Sequence, residues 1–168
     1  MGGHCIGVDP YYLLHRAAKA GHVPDIIRNA REINDGMSRQ VSQRLVRTMI
    51  NAGHNISGAK ALILGATFKE NCPDTRNTKV VDLQKSLREW GLSVDIADPY
   101  ADPENFLHEY ELPLVQPHEE NYDVIILAVA HDAYIKEGVE EIRKFGKKGA
   151  FLFDMKSALK RGDSDLRM

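Results

Sequence analysis

Two short stretches of this chain carry residues able to do chemistry. The first is Gly2-Gly3-His4-Cys5-Ile6-Gly7-Val8-Asp9-Pro10. A cysteine thiolate is a nucleophile and a metal ligand, but most lone cysteines are buried as small hydrophobes and are neither. The setting of Cys5 is different. Flanking glycines let a ligand approach the backbone, and Asp9-Pro10 reads as a helix N-cap followed by Pro at the first helical position. A helix amino terminus beside the sulfur would favour its thiolate. Asp9 is then both a capping residue and a candidate for moving protons. His4, Cys5 and Asp9 give no second ligand cluster at zinc spacing, so no metal site is expected.

The second stretch is Gly65-Ala66-Thr67-Phe68-Lys69-Glu70-Asn71-Cys72-Pro73-Asp74-Thr75-Arg76-Asn77, too polar and too interrupted by Gly and Pro for a regular element. It follows the apolar run Ala61-Leu62-Ile63-Leu64, which reads as a buried strand. It precedes a helix capped by Thr78, with Val81, Leu83 and Leu87 facing inward and Gly91 at its end. In an open parallel sheet, ligands gather outside the carboxyl ends of strands, beside helix amino termini that favour phosphate. Lys69 and Arg76 in that position make a candidate nucleotide site.

These residues need a frame, and the chain supplies one in two parts. A short helix from Pro10 to about Ala20 stops at Gly21. Pro24 then opens a long helix to about Ala52, with Ile26, Ala30, Ile33, Met37, Val41, Leu45 and Met49 forming one apolar stripe. A helix of that length spans about 40 Å, so it reads as a connection between domains or a subunit interface; the plainer alternative is a surface helix lying on the sheet. From Ser57 onward strands alternate with helices: Ser93–Ala97 ending at Asp98-Pro99, a clear strand over Asp123–Val129, a helix over Val139–Phe145 and a last strand over Gly149–Asp154. Leu112–Val115 reads as a possible short strand, Ala101–Tyr110 is weakly patterned, and the polar tail from Lys160 to Met168 reads as frayed. The expected class is α/β, a Rossmann-like parallel sheet preceded by a long helical segment, divided into 1–56 and 57–168.

Bulk properties exclude several functions. The chain has 168 residues, a 43% hydrophobic share and a formal net charge of −2, so it has material for a core and no basic stretch for nucleic acid. No apolar run approaches the length of a membrane span and no signal peptide is present, which makes the cytoplasm the expected compartment. Its two cysteines, Cys5 and Cys72, are far apart in sequence and are expected as thiols. No Gly-x-Gly-x-x-Gly occurs: Gly65 stands alone at its turn. Asp98 ends the second strand, where dinucleotide folds keep a ribose-binding acid, but the loop before the helix is too long for that fingerprint.

The segments Gly2–Leu13 and Phe68–Lys79 resemble the UDP-glucose/GDP-mannose dehydrogenase family. Their wording is most like that of its UDP-N-acetylhexosamine (UDP-GlcNAc/UDP-GalNAc) 6-dehydrogenases, enzymes of bacterial surface polysaccharide and capsule biosynthesis. The resemblance implies an NAD-dependent oxidation of a C6 alcohol to a carboxylate in two steps. Cys5 would add to the C6 aldehyde as a thiohemiacetal and pass through a thioester, and Asp9 would manage protons or water. Gly2 and Gly3 would let the loop close over the sugar, Phe68 and Lys69 would contact the UDP-sugar, and Arg76 would reach the cofactor side. Lys156 falls where UDP-glucose members carry an arginine, and a lysine lacks that arginine's fork. Cys72-Pro73 likewise departs from the glucose enzymes. Family members begin with an NAD-binding domain and a catalytic lysine that this chain does not match. The resemblance therefore implies a carboxy-terminal portion, dimeric through the central helix and inactive by itself; a non-catalytic UDP-binding or oligomerisation module is the alternative.

Overall fold

A computed structural model describes residues 2, 3 and 5–168, so His4 lies outside the described residues. The helices are α1 (Asp9–Lys19), α2 (Asp25–Asn51), α3 (Val80–Glu89), α4 (Pro103–Tyr110), α5 (Asp132–Glu137) and α6 (Val139–Lys144). The strands are β1 (Lys60–Leu64), β2 (Ser93–Ala97), β3 (Tyr122–Leu127), β4 (Gly146–Asp154) and β5 (Leu166–Arg167). All strands pair in parallel, in the order β2-β1-β3-β4-β5. This is the α/β parallel sheet the sequence predicts.

The unbroken apolar runs follow from a sheet covered on both faces. Ala61, Ile63, Val124, Ile126, Phe151 and Phe153 belong to one cluster, with Val41, Leu45 and Met49 of α2, Val81, Leu83 and Leu87 of α3 and Phe106 of α4. Leu62, Leu64, Ile125, Leu127 and Leu152 belong to the other, with Ile142 of α6 and Tyr134 of α5. The long helix therefore has two halves. Its second half is built into the core, while Ile26 and Ile33 of the first half remain 87% and 59% exposed.

Four local expectations change. Leu112–Val115 is not a strand; the Val115 N–H donates to the Ile96 carbonyl, and Leu112 and Leu114 pack against the core. The tail is not frayed. Leu166 and Arg167 pair with Phe153 and Asp154 at the sheet edge, and Arg44 of α2 donates to the Arg167 carbonyl. The weakly patterned 101–110 segment contains α4, whose N-cap Asp102 accepts from the Asn105 N–H, with Pro103 next. Asp9 does not cap α1. It is the first residue of that helix, Val8 holds the cap position, and no side chain caps it.

Candidate functional site

β1 and β2 end level with one another, Leu64 opposite Ala97, and β3 ends beside them with Leu127 opposite Leu64. The residues just past these ends meet in a buried polar cluster. Asp98 and His131 have side chains with no solvent exposure, and His131 Nε2 lies 3.0 Å from Asp98 Oδ2 and 3.1 Å from Thr67 Oγ1. On the other side of the ring, Nδ1 accepts from the Asn71 N–H at 3.0 Å. The Asn71 side chain in turn accepts from the Asp132 N–H.

Asp98 takes four further donors. Oδ2 accepts from the N–H groups of Ala66 and Thr67, and Oδ1 from those of Tyr100 and Ala101. Burial by itself would raise its pKa, but the His131 bond and the backbone donors outweigh burial and hold the carboxyl down at about 2. An acid so fully engaged cannot also take a ribose. With Gly65 alone at the β1 turn, the residues on this sheet do not fit a dinucleotide. Thr67 and Asn71 lie within the polar loop the sequence marks, but neither they nor His131 stand out there as individual site residues. His131 stands four residues past the end of β3, and its partners lie far away in the chain.

The 65–77 loop starts from this cluster. Gly65 has a φ of +97°, and a Cβ there would fall 2.4 Å from Val129 Cβ. The Thr67 hydroxyl donates to the Lys69 carbonyl. Phe68 then packs against the cysteine loop, whose Gly3 has a φ of +114° and room for a Cβ only at 3.3 Å from the Phe68 ring. A Cβ on Gly2 would meet the Asn77 carbonyl oxygen at 2.5 Å, so both glycines are needed for the two loops to touch. Thr78 is not the cap of α3: Lys79 holds that position without a side-chain cap, and one residue earlier the Thr78 hydroxyl accepts from the Val80 N–H.

Gly2, Thr67, Phe68, Val129, Met155 and Lys156 line a cavity of ≈ 150 Å³, closed from behind by Met37, Ser38 and Val41 of α2. That is below the roughly 300–1,000 Å³ of a typical ligand pocket, so it would take only part of a ligand of that size. Lys156 stands at its mouth, 3.4 Å from Glu70. Of the predicted residues, Gly2, Phe68 and Lys156 thus share one cavity. Gly3 reaches it through Phe68. Lys69 is exposed, its ammonium 5.5 Å from the centre of the Phe68 ring.

Cys5, Asp9 and Arg76 lie outside that cavity. Arg76 is held by Asp74 through Nε and Nη2, in a separate groove with Asn105 and His108. Cys5 is exposed. α1 is tied back to the body: Tyr11 donates to Asp35, which also pairs with Arg31 of α2 and with Lys79 beside α3. Among the described residues no group of three or more His, Cys, Asp or Glu side chains is placed to hold a metal ion. Nor is any helix there long and apolar enough to cross a membrane.

A parallel sheet with a nucleotide-type loop at its carboxyl ends, touched by a glycine-rich cysteine loop, defines a class. Residues 62–161 match the UDP binding domain of the UDP-glucose/GDP-mannose dehydrogenase family and residues 1–36 match its central domain. The chain belongs to that family. The UDP-N-acetyl-D-glucosamine 6-dehydrogenases of Pseudomonas aeruginosa and Salmonella typhi are 48% and 46% identical to it over 169 residues. Each alignment covers 100% of this chain but 40% of the relative. Among solved structures, the UDP-D-ManNAc dehydrogenase of Pyrococcus horikoshii superposes with a TM-score of 0.80 at 26% identity, covering 99% of this chain and 38% of that one.

Proposed function

We propose that this chain is the UDP-sugar platform and cysteine loop of an NAD-dependent UDP-N-acetylhexosamine 6-dehydrogenase. The parent reaction would take the C6 alcohol to the uronate in two oxidations, in the cytoplasm, for surface polysaccharide. The observation that carries this reading is the contact of Gly2 and Gly3 with Phe68, Asn77 and Thr78. It joins the loop suited to a nucleotide to the loop bearing the only exposed thiol among the described residues. A UDP-sugar lying on Phe68, with Lys69 and Lys156 beside its diphosphate, would extend its sugar towards Cys5.

The Cys5 sulfur would bond to the aldehyde carbon as the carbonyl oxygen takes a proton. Hydride transfer to NAD would bring this carbon to the acyl level; water would then displace the sulfur from it and the thiol would regain its proton. Asp9, exposed at the start of α1, would serve as a proton carrier for that water. Arg76 would face the cofactor side of the cleft. NAD does not fit on this sheet, so it would be held by the part of the enzyme outside the 40% of its relatives that this chain spans.

Calorimetric titration with UDP tests the platform, with GDP and NAD as controls. UDP binding is expected, and Lys69→Ala is expected to weaken it about fivefold, the scale of an exposed charge pair. A wild-type chain that binds none of the three would sink the reading. The same protein tests Cys5. Iodoacetamide at about pH 7 should label exposed Cys5 several-fold faster than half-buried Cys72, and equal rates would remove it as the nucleophile.

The proposed partner is a second copy, through the exposed first half of α2. Ile26 and Ile33, with Tyr12, Leu13 and Val23 nearby in sequence, leave large apolar side chains exposed. Light scattering is expected to report a dimer that Ile26→Asp converts to monomer. A wild-type monomer at high micromolar concentration would count against it.

A further inference from the structure

The His131 ring touches the 65–77 loop at two points on opposite sides, and the residues between those points are Phe68, Lys69 and Glu70. On one side Nε2 meets Thr67 Oγ1 at 3.1 Å; on the other Nδ1 meets the Asn71 N–H at 3.0 Å. The protonation state follows from the donors. A backbone N–H can only donate, so Nδ1 carries no proton and Nε2 does. The Nε2 proton points at the Asp98 carboxylate, and Thr67, whose own proton goes to the Lys69 carbonyl, can only accept. Asn71 itself sits at a φ of +55°, in the left-handed region that asparagine tolerates better than most non-glycine residues.

We infer that His131 is a positioning residue for substrate. One neutral imidazole, in its Nε2–H form, clamps both feet of the arch that presents Phe68, Lys69 and Glu70 to the nucleotide sugar. Each foot has one further tie, from the Thr67 N–H to Asp98 and from the Asp132 N–H to the Asn71 side chain, but His131 is the side chain that meets both. The arch's other internal backbone bond runs from the Phe68 N–H to the Asp74 carbonyl at 3.2 Å, and the Glu70–Lys156 pair is largely exposed. Asp98, locked by backbone donors from two loops, fixes the ring, and the ring fixes the arch. This inference deepens the proposed function and rests on the arch being the nucleotide-binding element.

Two substitutions separate the clamp from plain packing. The amide oxygen of His131→Asn can stand in for Nδ1, keeping an acceptor for Asn71 and losing the Asp98 bond. The amide of His131→Gln can stand in for Nε2, keeping the Asp98 bond and leaving the Asn71 N–H without an acceptor. UDP affinity, measured calorimetrically on this chain, should fall about tenfold in His131→Gln and stay within about threefold in His131→Asn, where the Thr67 foot keeps its own N–H bond to Asp98, whatever their relative thermal stabilities. Exchange of the Asn71 amide with deuterium should speed up in His131→Gln alone.

Affinity that falls equally in both variants, or that follows melting temperature, would overturn the clamp. If neither variant folds, nitrogen NMR of the wild-type ring decides: a bare Nδ1 and protonated Nε2 support it, and the reverse tautomer overturns it. If the wild-type chain binds no UDP, the platform reading fails, while the Asn71 exchange rates still judge the clamp.

Discussion

Replacing Asp98 by alanine is expected to cost about 4 kcal/mol or more of folding stability, a large part of the roughly 5–15 kcal/mol available to a domain. The carboxylate accepts from His131 and from the N–H groups of Ala66, Thr67, Tyr100 and Ala101. Its loss leaves those donors in a dry site, where each orphaned group costs about 1–3 kcal/mol, less what relaxation recovers. Asp98→Asn should cost less, because one oxygen remains, but its amide nitrogen then opposes other donors. Urea denaturation of the three proteins gives the ranking. An alanine variant within 1 kcal/mol of wild type, roughly an ordinary surface change, would mean that water enters and replaces the carboxylate.

The same group makes an acid-stability prediction. Its pKa lies at about 2 in the fold against an ordinary 3.8. A carboxyl depressed on folding adds stability that is fully present above its unfolded value and disappears as pH falls through its folded value. Here that is about 2 kcal/mol, present above about pH 4 and lost towards about pH 2. The wild-type urea midpoint should fall over that range, and more steeply than that of Asp98→Asn. Parallel profiles for the two proteins would show that other carboxylates dominate the acid response.

The second large effect is expected at Gly65. Alanine there must adopt a φ of +97° and place its Cβ 2.4 Å from Val129 Cβ and 2.9 Å from the Val129 backbone nitrogen. Neither neighbour is a flexible side-chain end, so β1 and β3 must separate just where the Asp98–His131 cluster joins them. Left-handed strain contributes about 1–2 kcal/mol and the overpacking a similar amount or more. Gly91→Ala is the control. Gly91 has a φ of +88° but no atom within 4 Å except Ser57 Cα at 4.0 Å, so it should show the strain alone. If both variants lose the same stability, the close approach to Val129 carries no energetic weight. If Gly65→Ala loses more and also loses UDP affinity, the turn is what sets the arch against the sheet.

Much of this molecule follows from local sequence. Apolar runs such as Ala61–Leu64 and Val124–Leu127 announce strands covered on both faces, because no alternation survives when both sides are buried. Val81, Leu83 and Leu87 identify the buried side of α3, and the two glycine-rich or polar loops mark where chemistry belongs. Motif wording was enough to point to the family. Where local signals were weak, the sequence misled. β5 is a two-residue edge strand of Leu166–Arg167, too short for periodicity, and it exists because β4 offers it a ladder. Asp9 looked like a cap, yet the chain turns at Val8 and begins the helix one residue early.

What only the tertiary structure decided is which residues meet. Thr67, Asp98 and His131 follow three different strands, and nothing in their spacing links them until parallel pairing brings those strands level. The long helix likewise reads as one continuous apolar stripe, but its second half is covered by α3 and the sheet while its first half is not. A residue's type and local pattern set what it can do. Its partners depend on topology, and in a parallel sheet topology joins residues that are distant in the chain.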